Sequence, residues 1–548
     1  MSRGTQLPVQ ILADAALQRA PPLSAFRLVR GVTLASFSYG FSIAVLNSAF
    51  DVMASELWAC RPAELAIPSE CADMSSRRVW LSHCEDCPSV CTELSPIDCT
   101  RLHWVKATIY ASLYAGGVVG AGSTPLLLNQ GRAHALRICA LLFLIAAVSS
   151  AVSTSLAGVL WARVLTGIAV GIASVTTPLY ISEVSPRERR GMFSTSHQVM
   201  VTVSAFIAMC LGLLFSDPAI DSMTIDESTG QITEYEVDLS SFQRAWWRVL
   251  LAMPALPASM LFYIFKEAYP FDTPTWYLEQ QRHSDCYLCL QKLEHVVDVD
   301  TELQCLVQLH GPLQARLPLR KVYQNMRYRY ALLVGLTLSI FQQFIGINLF
   351  LSSSNGVFQR AGLTFKEASL ASAIMSGGNL IAGLPALCLV DRIGRRQLLL
   401  IGISLQCISL VPATVFLWID SDSNTAIVAQ IIGIMCFVMS FALAYGPVLW
   451  VYLFEMFPMP MRNAATSLCT SANWAAALIM VFVGNLVLDN RILYTVMCGI
   501  NLGALLWVFC FVRETKTRTL GDSPYCEVPS TQPKPPQTQS SASASISD

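Results

Sequence analysis

Neutral amide side chains stand in a segment of the chain that is otherwise apolar. The run from Phe341 to Asn348 contains Gln342, Gln343 and Asn348. An amide both donates and accepts hydrogen bonds, and it must find partners where apolar residues surround it. This chemistry suits a ligand whose hydroxyl groups also do both, such as a sugar. The alternative is that the amides join one helix to another.

A second segment combines helix-breaking residues with an aromatic ring. Gly446 and Pro447 interrupt the hydrogen-bond ladder of a helix, which predicts a hinge that bends during a conformational change. Trp450 follows on the same segment and would offer a flat apolar face to a pyranose ring. The alternative for Trp450 is an anchor at a membrane interface.

The composition indicates that membrane-spanning helices position these residues. The 548-residue chain is 53% hydrophobic and 13% charged, and its mean hydropathy is +0.50. A large soluble helical protein would need many more charged faces. Because hydrocarbon satisfies no backbone polar group, each spanning segment must be a helix of about twenty apolar residues. We predict an all-α membrane protein with twelve such segments, near 26–50, 104–128, 134–153, 156–180, 193–215, 246–265, 329–352, 367–390, 395–418, 425–452, 464–487 and 491–513.

The positive charges between the segments predict the orientation of the chain, because short loops rich in arginine stay in the cytosol. Such loops follow the second, fourth and eighth segments and carry Arg132 and Arg137, then Arg187, Arg189 and Arg190, then Arg392, Arg395 and Arg396. Both termini are therefore predicted to be cytosolic, with the acidic loop from Asp217 to Asp238 outside. No cleavable signal peptide is evident, and the plasma membrane is the expected location. The net charge of -1 indicates no nucleic-acid partner.

The chain divides into two six-helix halves that resemble each other. A Glu-to-Arg pair closes the fourth segment, Glu183 with Arg190, and another closes the tenth, Glu455 with Arg462. A duplicated unit of this kind predicts a ligand site between the halves, near the middle of the bilayer. The predicted divisions are a cytosolic N-terminal segment 1–25, a first half 26–265 with an outer loop 51–103, a cytosolic linker 266–328, a second half 329–513 and a disordered cytosolic tail 514–548.

The outer loop is rich in cysteine. It holds six of the 18 cysteines, namely Cys60, Cys71, Cys84, Cys87, Cys91 and Cys99. An even number in an oxidising space favours up to three disulfides, whose pairing stays open among fifteen connectivities. A zinc site at His83, Cys84 and Cys87 is the less favoured alternative, so we predict no metal and no cofactor. No nucleophile, base or metal cluster within the spanning segments indicates an enzyme.

Long motifs in several segments resemble a known family. The fourth segment carries Arg163 with glycines four apart and ends in a run from Pro178 to Arg190. The seventh reads QQxxGxN from Gln342, and the tenth reads GPxxWxxxxExFP from Gly446. With these motifs the chain resembles the sugar porters of the major facilitator superfamily. Its cysteine-rich loop looks most like that of trypanosomatid hexose transporters.

The resemblance implies a hexose substrate, carried across the lipid bilayer by alternating access. The implied substrate contacts are Gln198, Gln342, Gln343, Asn348, Asn379, Trp450 and Asn473. The implied gating and structural residues are Arg163, Glu183, Arg190, Asp391, Arg392, Arg395, Arg396, Gly446, Pro447, Glu455 and Arg462. Glu183 is expected to form ion pairs with Arg190 and with the arginines of the loop after the eighth segment. We interpret His197 as a packing residue.

The chain departs from the family pattern at three places that bear on mechanism. Asn129 stands where relatives often have aspartate, and Asp272 begins a segment that lacks the family's usual arginine. Proton-coupled relatives carry a carboxylate in the middle of the first segment, whereas this chain has Ser42 there and its nearest acid is Asp51. We therefore expect uniport of D-glucose, with D-fructose as a further candidate. A proton-coupled sugar or polyol symporter and a non-transporting sugar sensor remain the alternatives.

Overall fold

Twelve membrane-spanning helical segments make up most of the protein, as a computed structural model shows. The structure describes residues 24–57, 100–186, 189–215, 219–225, 232–310, 324–360, 363–419, 424–487, 490–516 and 523–526. The first to twelfth spans are Ala25–Phe50, Trp104–Gln130, Arg132–Ala151, Leu156–Val184, Arg190–Gly212, Ser241–Ala268, Met326–Ser352, Phe365–Ile393, Arg395–Ile419, Thr425–Met456, Met461–Leu486 and Arg491–Phe511. Every predicted segment coincides with one of these spans, so the predicted fold class is confirmed.

Seven spans are formed by unbroken helices. These helices are Thr100–Gln130, Arg132–Ala151, Leu156–Val184, Arg190–Gly212, Arg395–Ile419, Met459–Leu486 and Asn490–Phe511. The linker between the halves adds the shorter helices Pro274–Glu279, His283–Lys292 and Val299–His310. The linker helices pack beneath the first half, since Tyr277 and Leu290 belong to its hydrophobic core.

Five spans are broken into two helices each. The pieces are Ala25–Ala44 with Leu46–Leu57, Ser241–Ala252 with Ala255–Tyr263, Met326–Phe344 with Ile347–Arg360, Phe365–Gly383 with Ala386–Ile393, and Asn424–Leu443 with Tyr445–Met456. A π-helical turn, Ile264–Ala268, completes the sixth span. Proline has no N–H, which explains the breaks beside Pro254, Pro385 and Pro447. Gly346 has φ +92°, and this left-handed backbone breaks the seventh span.

A β-hairpin joins the fifth and sixth spans. Strand β1, Ala219–Ile225, pairs antiparallel with strand β2, Ile232–Asp238, in a register that places Ala219 opposite Asp238. The acidic composition of this loop predicts its side of the membrane but does not reveal the hairpin, because its residues do not alternate cleanly between apolar and polar.

Each half has its own hydrophobic core. The core of the second half does not extend into the first half. In contrast, Phe454, Trp474 and Val481 of the second half pack into the core of the first. The two halves are therefore joined by apolar packing along the eleventh span.

Part of the C-terminal tail packs against the second half. The Tyr525 hydroxyl lies 2.6 Å from the Tyr452 hydroxyl and accepts a hydrogen bond from the Arg513 backbone N–H at 2.9 Å. The Ser523 hydroxyl donates to the carbonyl oxygen of Met456, the last residue of the tenth span. The prediction of a disordered tail therefore does not hold for residues 514–516 and 523–526; the rest of the tail lies outside the described residues.

Candidate functional site

The amides predicted from the seventh span form one hydrogen-bonded cluster. The break at Gly346 lets Asn348 reach back, and its Nδ2 donates to Oε1 of Gln343 at 2.6 Å. Gln343 Nε2 donates to Oδ1 of Asn473 at 2.9 Å, and Asn473 Nδ2 donates to Oε1 of Gln342 at 2.8 Å. These four side chains, which we call the amide cluster, are all buried. The amides therefore serve as hydrogen-bond partners for one another.

Aromatic side chains from both halves pack against one another around Trp474. The Trp474 ring, next in sequence to Asn473, lies 5.7 Å from the Tyr39 ring and 5.8 Å from the Tyr114 ring. Trp474 Nε1 donates to the Ser174 hydroxyl of the fourth span at 3.0 Å. The eleventh span therefore carries Asn473 of the amide cluster and, at the next position, a tryptophan that packs against the first half.

Trp450 lies on the same side of the site as His197. Their rings are 6.1 Å apart and nearly perpendicular, and Trp450 is only 3% exposed. His197 was interpreted from the sequence as a packing residue, whereas the structure places it between the two halves. The only indication in the sequence that His197 lies near the site was its position next to Gln198, a predicted substrate contact.

Gln198 and Asn379 are not joined to the amide cluster. Gln198 is half-buried, and Asn379 is buried with its Oδ1 unpaired among the described residues. An unpaired buried amide oxygen costs about 1–3 kcal/mol, which a ligand hydroxyl would recover. Substrate contact by either residue stays a prediction.

Polar side chains join the two halves on the side of the site that the charge pattern predicts to lie outside the cell, which we call the outer side; the opposite side is called the inner side. Asn47 Nδ2 donates to the Ser354 hydroxyl at 2.8 Å and to Asn355 Oδ1 at 3.1 Å. The Asn355 backbone N–H returns a bond to Asn47 Oδ1 at 3.0 Å. Sequence reasoning missed Asn47, although an amide at the end of an apolar first span was a visible signal.

A buried ion-pair cluster closes the inner end of the first half. Arg132 bonds to Glu183 at 2.9 Å and to Glu279 at 2.8 Å, and its backbone N–H donates to Asp272 Oδ1 at 2.7 Å. Burial raises the pKa of the Asp272 carboxyl to about 6, although Arg132 favours the charged form. The sequence analysis used Arg132 only as a topology signal, and Asp272 was noted only as a departure. The structure makes both of them central to this cluster.

The second half repeats this arrangement. Arg395 bonds to Glu455 at 2.7 Å, and its backbone N–H donates to Glu514 Oε1 at 2.9 Å. The Thr515 hydroxyl also donates to Glu455, at 2.7 Å. In each cluster an arginine that follows a glycine pairs with a glutamate at the end of a span. A second carboxylate, Asp272 or Glu514, accepts hydrogen bonds from the backbone N–H groups at the start of the helix that carries the arginine, as the helix dipole favours.

Asp391 connects the inner ends of the two halves. Its Oδ2 accepts from the Met192 backbone N–H at the start of the fifth span at 3.0 Å, and its Oδ1 lies 3.1 Å from Arg395. A Cβ at Gly191 would overlap the Asp391 carboxylate, so only glycine permits this approach. The sequence predicts that Glu183 pairs with Arg190 and with the arginines after the eighth segment, whereas Glu183 bonds to Arg132 and Arg395 bonds to Glu455 and Asp391.

The remaining predicted arginines occupy different environments. Arg163 is buried, and its Nη1 donates to the Ser42 carbonyl oxygen at 2.8 Å. Arg190 Nε donates to the Ser182 carbonyl oxygen, and Arg462 is buried near the first half's inner cluster. Arg392 is exposed, while Arg396 donates to the Phe509 carbonyl oxygen. Gating by these residues stays a prediction.

The cysteine-rich loop lies outside the described residues, so its predicted disulfides stay predictions. Within the part of the chain that the structure describes, no group of three or more His, Cys, Asp or Glu side chains could hold a metal ion. Cys286 and Cys289 are buried, and burial raises the pKa of both thiols. Neither thiol is therefore set up as a reactive or metal-binding group.

Comparisons with known proteins agree with this architecture. A family model described as "Sugar (and other) transporter" matches residues 30–525. Hexose transporter 1 of Toxoplasma gondii is 30% identical over 512 residues, covering 92% of this chain and 82% of the relative. Hexose transporter 1 of Plasmodium knowlesi is 29% identical over 509 residues, covering 91% of each chain. The narrower likeness to trypanosomatid transporters stays a prediction.

Solved structures show the same fold. The proton:xylose symporter XylE bound to 6-bromo-6-deoxy-D-glucose superposes with a TM-score of 0.69 at 22% identity, covering 91% of this chain and 98% of that one. The inward-open conformation of XylE from E. coli gives a TM-score of 0.62, covering 90% and 98%. These matches show that the chain shares the fold of these proteins. The chain belongs to the family described as "Sugar (and other) transporter".

Proposed function

We propose that this protein carries hexoses across a membrane by alternating access, without coupling to protons. The observation that carries the proposal is the buried amide cluster formed by Gln342, Gln343, Asn348 and Asn473. Amides that both donate and accept match the hydroxyl groups of a hexose. D-glucose is the proposed substrate, with D-fructose as a second candidate, and the relatives named hexose transporter support this class.

The contacts between the halves support a mechanism with two closures. Asn47 and Asn355 join the halves on the outer side of the amide cluster, and Asp391 and Met192 join them on the inner side. Alternating access requires one closure to open while the other stays shut. The tenth span is broken beside Pro447, so its inner part, which carries Trp450, can bend as the inner side opens.

The first span supports uniport. Between Ala25 and Phe50 the chain contains no aspartate or glutamate, so this span has no carboxyl group to carry a proton. Arg163, buried beside this span, donates to the backbone carbonyl of Ser42. We propose that net flux follows the hexose gradient alone, across the plasma membrane and with both termini in the cytosol.

Uptake of labelled D-glucose and D-fructose by cells that lack hexose transport, with and without a protonophore, tests this function. We expect saturable uptake that equilibrates with the outside concentration and ignores the protonophore. Accumulation that the protonophore abolishes would contradict uniport and favour a proton-coupled symporter. Competition by inositol would favour a polyol carrier, and surface expression without any uptake would favour a sensor.

Replacing Asp391 with asparagine should loosen the inner closure. The carboxylate accepts a charge-assisted bond from the Met192 N–H across the halves, and asparagine weakens that bond and the pairing with Arg395. We expect hydrogen exchange at the start of the fifth span to become about tenfold faster. Asp298→Asn is the matched control, because Asp298 is exposed and bonds only within its own turn. Equal exchange in both variants would show that Asp391 does not hold the halves together.

A further inference from the structure

His197 is a buried polar group that the amide cluster does not use. Its side chain is 0% exposed, and its Nδ1 lies 2.8 Å from the Ser36 hydroxyl of the first span. Its ring is 5.9 Å from the Tyr39 ring and 6.1 Å from the Trp450 ring. His197 therefore contacts the first half on one side and a proposed sugar platform of the second half on the other.

The second ring nitrogen of His197 has no hydrogen-bond partner among the described residues. Leaving a buried polar nitrogen unpaired costs about 1–3 kcal/mol, unless a ligand or water completes it. A hydroxyl such as that of Ser36 can donate to Nδ1 or accept from it, so either neutral tautomer is permitted. Nε2 can therefore accept from a ligand hydroxyl or donate to one.

The neighbours of His197 indicate which ligand would reach it. Trp450 stands against its ring, and Tyr39 connects it to Trp474, which is adjacent to Asn473 of the amide cluster. A pyranose ring resting on Trp450 would therefore have His197 at its edge. A hydrogen bond from the single nitrogen Nε2 can recognise one hydroxyl group of the sugar, but not the whole molecule.

We propose that Nε2 of His197 forms a hydrogen bond with one hydroxyl group of the bound hexose and so helps to select the substrate. This inference rests on the proposed function, since it assigns a residue of the first half to the same hexose site. Ser36 then acts as a positioning residue, because its hydroxyl fixes the imidazole orientation from the far side.

Inhibition of labelled D-glucose uptake by a series of monodeoxyglucoses tests the proposal in wild-type protein, His197→Phe and His197→Gln. Phenylalanine keeps a ring in the packing but cannot hydrogen-bond. We expect His197→Phe to raise the KM for D-glucose about tenfold with a smaller change in maximal rate. We also expect wild-type protein to bind one deoxy analogue about tenfold less tightly than D-glucose, and this difference to vanish in His197→Phe. His197→Gln, which keeps a hydrogen-bonding group, should restore part of this difference between D-glucose and the deoxy analogue.

The analogue ratios do not depend on how much protein reaches the surface, and His197→Gln provides a second variant if His197→Phe folds poorly. A loss in His197→Phe that is equal for D-glucose and all analogues would overturn the contact and leave a packing role. The same conclusion follows if His197→Gln and His197→Phe distinguish D-glucose from the deoxy analogue equally poorly. No hexose uptake by wild-type protein would overturn the proposed function and this inference together.

Discussion

Replacing Asn473 with alanine should lower hexose uptake by about 100-fold, because two amides of the cluster lose their partner at once. Asn473 accepts from Gln343 and donates to Gln342, and Nδ2 also bonds to the Ser339 carbonyl oxygen. Each buried group left unpaired costs about 1–3 kcal/mol, and freed glutamines would turn toward each other rather than toward a sugar. Initial rates of labelled D-glucose uptake, normalised to surface protein, measure the effect.

Asn485→Ala is the matched control for this prediction. Asn485 is also a buried asparagine of the eleventh span, but its Nδ2 donates only to the Val481 carbonyl of its own helix. We expect Asn485→Ala to retain uptake within about threefold of wild type, since only a local bond is lost. Similar losses in both variants would indicate that Asn473 contributes to folding rather than to the hexose site.

Replacing Arg132 with alanine should destabilise the protein by about 3–5 kcal/mol, the usual cost of removing one partner from a buried ion pair. The Arg132 side chain is 0% exposed and pairs with both Glu183 and Glu279, so its removal takes away the charged partner that the two carboxylates share. Arg132→Lys should recover only part of the loss, because an ammonium cannot bond in a planar fork to both carboxylates. Thermal unfolding of the purified protein in detergent measures the difference.

Arg392→Ala serves as the control for Arg132→Ala. Arg392 is an exposed arginine in the last turn of the eighth span, and its removal leaves no buried charge without a partner. We expect its unfolding temperature to match the wild type within about one degree. If Arg132→Ala unfolds at the same temperature as Arg392→Ala, the inner cluster does not stabilise the first half.

The twelve spans could be predicted from the sequence because the conditions for crossing a membrane apply to each segment separately. A segment must present about twenty apolar residues and satisfy its own backbone, whatever its neighbours are. The sixth span illustrates the accuracy: a prediction of 246–265 compares with Ser241–Ala268 in the structure. The breaks beside Pro385 and Pro447 follow from the missing proline N–H, which is also visible in the sequence.

Part of the site was also visible in the sequence. Gln342, Gln343, Asn348 and Asn473 stand out as amides in apolar helices, and the structure brings all four together. The sequence did not show that they bond to one another, because that depends on how the seventh span packs against the eleventh. It also did not distinguish these amides from Gln198 and Asn379, which lie apart from the cluster.

The partners of the charged and polar residues were decided only by the tertiary structure. Arg132 pairs with carboxylates 51 and 147 residues away and donates its backbone N–H to Asp272, 140 residues away. His197 contacts Ser36, 161 residues away. Hydropathy and motifs identify the segment to which a residue belongs. Its hydrogen-bond or ion-pair partner depends instead on which helices pack close to that segment. The sequence by itself therefore determined which segments cross the membrane and which amides are available for a sugar. Helix packing determined which charges neutralise each other and which polar atoms are left facing the site.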